Sequence, residues 1–302
     1  MLRNQLIGLL VIACLALLAA GIACGAETVT IESKYPGLSS GPLRAAVPGP
    51  VPGALLEADG VKITAKDLND AVAKLESPAK EQYRTYQFAL LQELAVGKLI
   101  EAEAQAWGEK NGVSGDELMR KYVNSLVGEI TVSDEEARKF YAENSAMMGK
   151  STYEQVESAI KSYLREEKGN AILEKHVAGV SERHAVRVSD VWARMQYARW
   201  MKNPVEKARR SGMPAVVKFG ADTCQPCRLM APIIKDLARK FAGKLVVVDI
   251  NVEKEPVLGA YYGAQSIPHT IYYDAAGGQV SEVVGFKDRA SIEAEIAKLG
   301  LK

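Results

Sequence analysis

The chain has 302 residues, 48% hydrophobic and 25% charged, enough for about two globular domains and too apolar for extended disorder, a collagen or a coiled-coil rod. Lys and Arg number 38 against 37 Asp and Glu, a formal charge of +1 that excludes nucleic-acid binding driven by bulk positive charge. Four cysteines are too few for a disulfide-dense scaffold, and three histidines without a second ligand at metal spacing give no metal centre to expect.

Arg3 precedes a nearly unbroken apolar run, Leu6 to Ala23, that closes in small residues. This is the order of a secretory signal, and a run of about 18 residues is also near the minimum that crosses a bilayer. Gly21-Ile22-Ala23-Cys24 resembles a bacterial lipobox, which implies lipidation of Cys24 as the first mature residue, although Gly21 stands where that motif usually has leucine. Residues 1–23 therefore read as a lipoprotein signal, an uncleaved membrane anchor or a simple secretion signal. All three place the remainder outside the cytoplasm, and the first two attach it to a membrane through the N-terminus, on the periplasmic face of a bacterial membrane. Residues 24–53 carry Pro36, Pro42, Pro48, Pro50 and Pro52 among glycines, and the composition predicts a partly stiffened tether.

From 54 to 188 the pattern is mainly helical. Leu55–Ala58 and Val61–Ile63 are strand candidates around Asp59-Gly60, a favourable hairpin turn. Thr64 with Asp67 predicts a capped helix start, and Ser77-Pro78 predicts the opening of a long helix with Phe88, Leu91, Ala95, Leu99, Ala102 and Ala106 on one face and Gly112 as its stop. Ser114 with Glu117, Ser133 with Glu136 and Ser151 with Glu154 predict three further starts, and Val186–Val188 a closing strand. His176 and His184, on a polar helix end, are expected to be solvated.

"EADGVKITAKDL", "LLQELAVGKLIEAEAQAWG", "TVSDEEARKFYAEN" and "YEQVESAIKSYLREEKGNAILEKHV" follow in an order that resembles the chaperone part of SurA-type and parvulin-type extracytoplasmic foldases. The resemblance implies a SurA-like helical cradle for extended, unfolded clients. Residues 144–152 leave no room for the prolyl isomerase domain that commonly follows in those foldases, so isomerase activity is not implied.

Residues 189–202 read as a connecting helix. Beyond it, Ala215–Phe219 is a buried-strand run, followed by Cys224-Gln225-Pro226-Cys227, a helix interrupted by Pro232, a second apolar strand at Leu245–Ile250, a hairpin around 274–278 and a final helix at 290–299. In such an α/β order C-x-x-C reads as a redox motif, since zinc would want a second pair.

"VVKFGADTCQPCRLMAP", "YYGAQSIPHTIYYDAAG" and Gly285 are similar to thioredoxin over about residues 203–302. The resemblance implies an α/β thioredoxin fold behind the mainly α-helical domain, and a protein-disulfide oxidoreductase whose only redox group is the Cys224–Cys227 pair, with no cofactor and no metal. Cys224, just before a helix, would be the nucleophile, because unpaired N–H groups and the helix dipole favour the thiolate and bring thiol pKa values at such sites to roughly 3.5–7.5. Cys227, one turn inside, would resolve the mixed disulfide, and Pro226, in the first turn, would stiffen the loop. The resemblance makes Ile267-Pro268 a cis peptide that faces the dithiol, with Ile267 offering backbone hydrogen bonds to a substrate chain and Gln225 and Pro226 beside it.

The departures carry information. Thr223 replaces the usual tryptophan and Gln225 a common glycine. Lys218 stands where the family commonly buries an aspartate, and Asp249 where it has a lysine. The pair is expected to survive with its signs exchanged beneath Cys227, charged atoms within about 6 Å, and Asp249 would take up the Cys227 proton. His269 follows Pro268 where threonine is common and is expected to be partly exposed. Together these readings make the chain an extracytoplasmic, membrane-anchored thiol–disulfide oxidoreductase, on the reducing side, that acts on cysteine-containing or unfolded proteins and draws electrons from a membrane thiol-relay protein. The alternative is a non-catalytic holdase that traps cysteine-containing clients.

Overall fold

The computed structural model describes residues 28–144, 149 and 151–301. The signal or anchor at 1–23, with Cys24, lies outside the described residues. Among those described, no helix is long and apolar enough to cross a membrane.

From residue 28 the expected tether is replaced by packed structure. Thr30 and Ser33 form a capping box on α1 (Ile31–Lys34), and Ile31, Tyr35, Leu38, Leu43 and Ala46 are buried. Ser39 accepts from the Leu43 N–H at 3.1 Å and donates to Gln92 at 2.6 Å, which ties the loop to a helix far along the chain. The apolar residues set between the prolines supply enough buried surface to fold the segment, and a count of prolines and glycines does not register them. Next come β1 (Val47–Gly49), β2 (Leu56–Ala58) and β3 (Val61–Ile63). Asp59 and Gly60 both take positive φ, 30° and 80°, as the tight hairpin demands.

Helix α2 (Ala65–Ala73) starts on the Thr64–Asp67 capping box. The long helix expected from Ser77-Pro78 is two helices, α3 (Ala79–Thr85) and α4 (Gln87–Asn111), which part at Tyr86. Along α4, Phe88, Leu91, Ala95 and Leu99 are buried as the periodicity requires, but the buried face then passes to Ala104 and Gly108 in place of Ala102 and Ala106. A Cβ on Gly108 would lie 2.4 Å from both Leu118 Cδ1 and the Val113 carbonyl oxygen, so the returning chain crosses where only hydrogen fits.

Gly112, at φ 67°, ends α4, and a single 3₁₀ turn leads into α5 (Leu118–Val127) without a side-chain bond from Ser114. Ser133 and Glu136 box the start of α6 (Asp134–Glu143). The next cap falls one residue later than expected: Gln155 accepts from the Thr152 N–H at 3.0 Å at the head of α7 (Tyr153–Ala178), while the Ser151 carbonyl takes the Tyr141 hydroxyl at 2.7 Å. After α8 (Val180–Arg183) the chain returns as β4 (Arg187–Ser189) to complete a sheet of order β1-β4-β2-β3, with β1 parallel to β4. As an edge strand β1 tolerates Pro48, which has no N–H to donate.

His176 and His184 are not solvated. They converge on Glu103 of α4, each with Nε2 2.7 Å from a carboxylate oxygen. Arg183 Nε donates to Glu103 at 2.9 Å, the Tyr122 hydroxyl donates at 2.7 Å, and Asp59 stands 2.9 Å from the other nitrogen of His184. Burial pushes the Glu103 carboxyl up, but the hydrogen bonds from Tyr122, Arg183, His184 and His176 outweigh it and bring it from 4.5 to about 2. A carboxyl held lower in the folded than in the unfolded chain contributes stability above its unfolded value, and that contribution drains away as pH falls through the interval between the two. Unfolding free energy measured in denaturant is therefore expected to decline between pH 4.5 and about 2, less steeply in Glu103→Gln.

The C-terminal part follows the expected α/β order. Helix α9 (Asp190–Trp200) connects to α10 (Pro204–Arg209), capped by Asn203, and then run β5 (Ala215–Gly220), α11 (Gln225–Lys240), β6 (Val246–Asn251), α12 (Pro256–Tyr261), β7 (His269–Tyr273), β8 (Gln279–Val284) and α13 (Arg289–Lys298). The sheet order is β6-β5-β7-β8, with β5 and β6 parallel. Val216 and Tyr272 face a core shared with Met230, Ile234 and Ile292. On the opposite face Val217, Phe219 and Ile271 join a core continuous with Leu91 and Leu99 of α4. Trp200 is the hinge pin of this junction, 3% exposed, with ring centroids of Tyr261 at 4.1 Å, Tyr86 at 5.2 Å and Tyr262 at 6.1 Å. Trp200→Ala is expected to cost about 3–5 kcal/mol in denaturant unfolding, with faster proteolysis between the two regions.

Candidate active site

Every residue of β5 is buried, and the strand delivers the chain to the short loop before α11. Cys224 takes the N-cap position of that helix, where its Sγ accepts the Cys227 N–H at 3.2 Å. Pro226 falls in the first turn and Pro232 inside the helix. The two cysteines form a disulfide with Cα atoms 5.2 Å apart. Cys224 is partly exposed, Gln225 and Pro226 are exposed, and Cys227 is buried at 3%. An outer sulfur at a helix N-terminus and an inner one behind it form an arrangement that can exchange disulfides: the first is reachable, and the second waits within bonding distance.

Ile267-Pro268 is a cis peptide, and the Ile267 carbonyl oxygen lies 3.9 Å from Cys224 Sγ. The Pro268 carbonyl accepts from the Gly285 N–H at 2.8 Å, which holds the segment against the end of β8. Thr223 donates to Glu253 at 2.5 Å, so the position usually given to tryptophan is tied down as a polar one.

Beneath Cys227 lies the exchanged pair. Lys218 and Asp249 are register partners on the parallel strands β5 and β6, and Lys218 Nζ lies 2.9 Å from both carboxylate oxygens. The lysine side chain is 4% exposed and the aspartate 51%. A cavity of about 280 Å³ opens between them and the inner sulfur, lined by Lys218, Gly220, Cys227, Asp249 and Asn251. Gly220 shapes it: a Cβ there would meet Lys218 Cε at 3.1 Å and Cys227 Sγ at 3.2 Å. This glycine and Glu253 escaped the sequence reading, though a glycine at the end of an otherwise apolar buried strand is a cue to close approach.

His269 departs from expectation. It is 1% exposed, with Phe219 edge-on at 6.0 Å and Glu282 Oε1 2.8 Å from Nε2, and it stands on the sheet face turned toward the helical region. Its neighbours Phe219 on β5 and Glu282 on β8 close over it from within the sheet.

The family model described as thioredoxin matches residues 200–298. The thioredoxin of Alicyclobacillus acidocaldarius is 33% identical over 92 residues, 30% of this chain and 87% of that protein. The chain belongs to the thioredoxin family. Thioredoxin 1 of Nostoc is 34% identical over 88 residues, 29% of this chain and 81% of the relative, and thioredoxin 1 of Chlorobaculum tepidum is 40% identical over 72 residues, 24% and 69%. The thioredoxin domain, with its cysteine pair at the head of α11, makes the chain a disulfide oxidoreductase.

Gly220→Ala is expected to lower the stability of the oxidised form by about 1–3 kcal/mol, because two packed groups must give way, and denaturant unfolding of matched oxidised samples measures it.

Proposed function

We propose that the chain is an extracytoplasmic, membrane-anchored thiol–disulfide oxidoreductase whose helical region, 54–188, recruits cysteine-containing or unfolded proteins to the thioredoxin domain. The observation that carries the chemistry is the pairing of a reachable Cys224 at a helix N-terminus with a buried Cys227 behind it. The apolar run before Cys24 supports export and anchoring. The SurA-like order of helices supports client binding, as does an open groove of about 400 Å³ along α5 and α7, floored by Val127, Ile130, Gly169 and Leu173 with Arg165 and Glu166 at its edge. The core that runs unbroken from α4 to β5 would keep a held client in a fixed relation to the cysteines.

In the reducing direction the Cys224 thiolate attacks one sulfur of a client disulfide. A Cys224–client bond forms, the client disulfide breaks, and the departing client sulfur takes a proton from water. Cys227 then gives up its proton by way of the cavity to Asp249, which is half open to solvent, and its thiolate attacks Cys224 Sγ. The second client sulfur leaves as a thiolate and takes a proton from water, Asp249 returns its proton to solvent, and the client departs as a dithiol two electrons richer while the Cys224–Cys227 disulfide remains. Ile267 presents backbone groups to the client chain beside the reacting sulfur. A membrane thiol-relay protein would return the two electrons.

Reduction of insulin by the full chain, with dithiothreitol as the electron source, is expected to turn over many times. Cys227→Ser should instead stop at a stable mixed disulfide on Cys224, and identifying the captured proteins in cells would name clients and donor. A wild-type protein that also stalls after one capture would replace this reading with a trapping holdase.

A further inference from the structure

The geometry points to a second binding site, a cleft for a small organic carboxylate at the seam between residues 32–44 and the thioredoxin domain. It shares no lining residue with the cavity beneath Cys227, so it stands apart from the redox chemistry.

The cleft has a volume of about 500 Å³, within the range that small-molecule sites occupy. Its walls are aromatic and already fixed. Tyr261 and Tyr262 stand edge to face, with ring centroids 5.0 Å apart. Tyr261 donates to the Gly37 carbonyl, and Tyr262 donates to Glu206 at 2.9 Å. Tyr197, Met201 and Ile271 add apolar surface. Rings held in this way lose little freedom when they close on a flat apolar body.

The charged groups decide the head group. Three arginines and three glutamates line the cleft, but they are not equally engaged. Glu206, 6% exposed, accepts from Arg209 Nη1 at 2.7 Å on the same oxygen that takes Tyr262. Glu282 accepts from Gln279 at 2.8 Å and lies 2.8 Å from His269, and Glu32 lies 3.6 Å from Arg44 Nε. Arg210, by contrast, has no carboxylate partner among the described residues and reaches only the Met201 sulfur, at 3.1 Å. Arg209 Nη2 and both Nη atoms of Arg44 likewise have no hydrogen-bond acceptor among the described residues.

Tyr273 also lines the cleft, 3% exposed, and its hydroxyl has no hydrogen-bond partner among the described residues. Burial pushes that phenol up to about 12, so at neutral pH it keeps its proton and is a donor. The capacity left over in the cleft is thus N–H and O–H groups beside positive charge. A cationic ligand would have to draw a glutamate away from its present partner. A carboxylate meets free guanidinium forks whose planar geometry matches its own. A free small acid and the C-terminus of a peptide present this same head group.

The test is calorimetric titration of the purified full chain with phenylacetate, phenylacetamide, inorganic phosphate, and the peptide Gly-Gly-Phe as free acid and as C-terminal amide. Both acids are expected to bind saturably and each amide about tenfold more weakly than its acid. Tighter binding of phenylacetate would assign the site to free acids, and tighter binding of the peptide acid to peptide C-termini. Arg210→Gln, at an exposed position, is expected to weaken the tighter acid about tenfold, and Tyr273→Phe, which removes one oxygen, several-fold. Absence of saturable binding by either acid in the millimolar range would overturn the inference. So would acids and amides that bind alike, phosphate that binds as tightly as the acids, or an Arg210→Gln titration that overlaps wild type. Insulin reduction by the same sample reports separately on the oxidoreductase reading, which stands whichever way the titrations fall.

Discussion

A strand with no exposed residue has to be covered on both faces, and in this chain one of those faces lies on a core that continues from α10 and α12 into the helical region. Strand β5 has α11 and α13 on one side, through Val216 and its neighbours, and on the other a core that Val217 and Phe219 share with α4. The redox loop leaves the end of this strand, so the position of Cys224 is set by packing that the helical region helps to complete. Burial of large apolar side chains contributes about 1.5–3 kcal/mol each, which makes the shared face a major part of the fold's stability rather than a loose contact.

Within the same strand Lys218 is the one charged residue, and its head group finds a carboxylate only because the parallel pairing of β5 with β6 sets it opposite Asp249. Removing Asp249 would leave the buried Lys218 ammonium without its carboxylate, so register, ion pair and redox cavity are secured together. The exchange of signs relative to the arrangement common in thioredoxins preserves the pairing but changes which charge is held away from water.

Much of the thioredoxin domain was legible because its signals are local. The continuous apolar runs of β5 and β6, the C-x-x-C before a helix and the Ile267-Pro268 pair each lie within a few residues. The helical region was legible where a cap carries its own partner, as at Thr64 with Asp67 and Ser133 with Glu136. What failed depends on distant neighbours. Pro36 to Pro52 suggested a tether, whereas Ile31, Leu38 and Leu43 find their contacts only in the folded core. His176 and His184 seemed free because Glu103, which collects them, sits on another helix. His269 was expected to meet solvent, and Phe219 and Glu282 on the neighbouring strands bury it.

The parallel pairing of β1 with β4 has a bearing on how the molecule is made. Val47 cannot find its ladder partner until Arg187 has been synthesised, so the first of the small sheet's strands to leave the ribosome, among the described residues, is among the last to be satisfied. Until then its edge and the apolar side chains of 31–46 stay uncovered, a stretch open to passing chaperones or to mispairing. For the same reason the excised thioredoxin domain would be a different object from the domain in place. It would lose the Tyr86 ring that packs on Trp200 and the contacts of α12 with α3, and so carry apolar surface there into water.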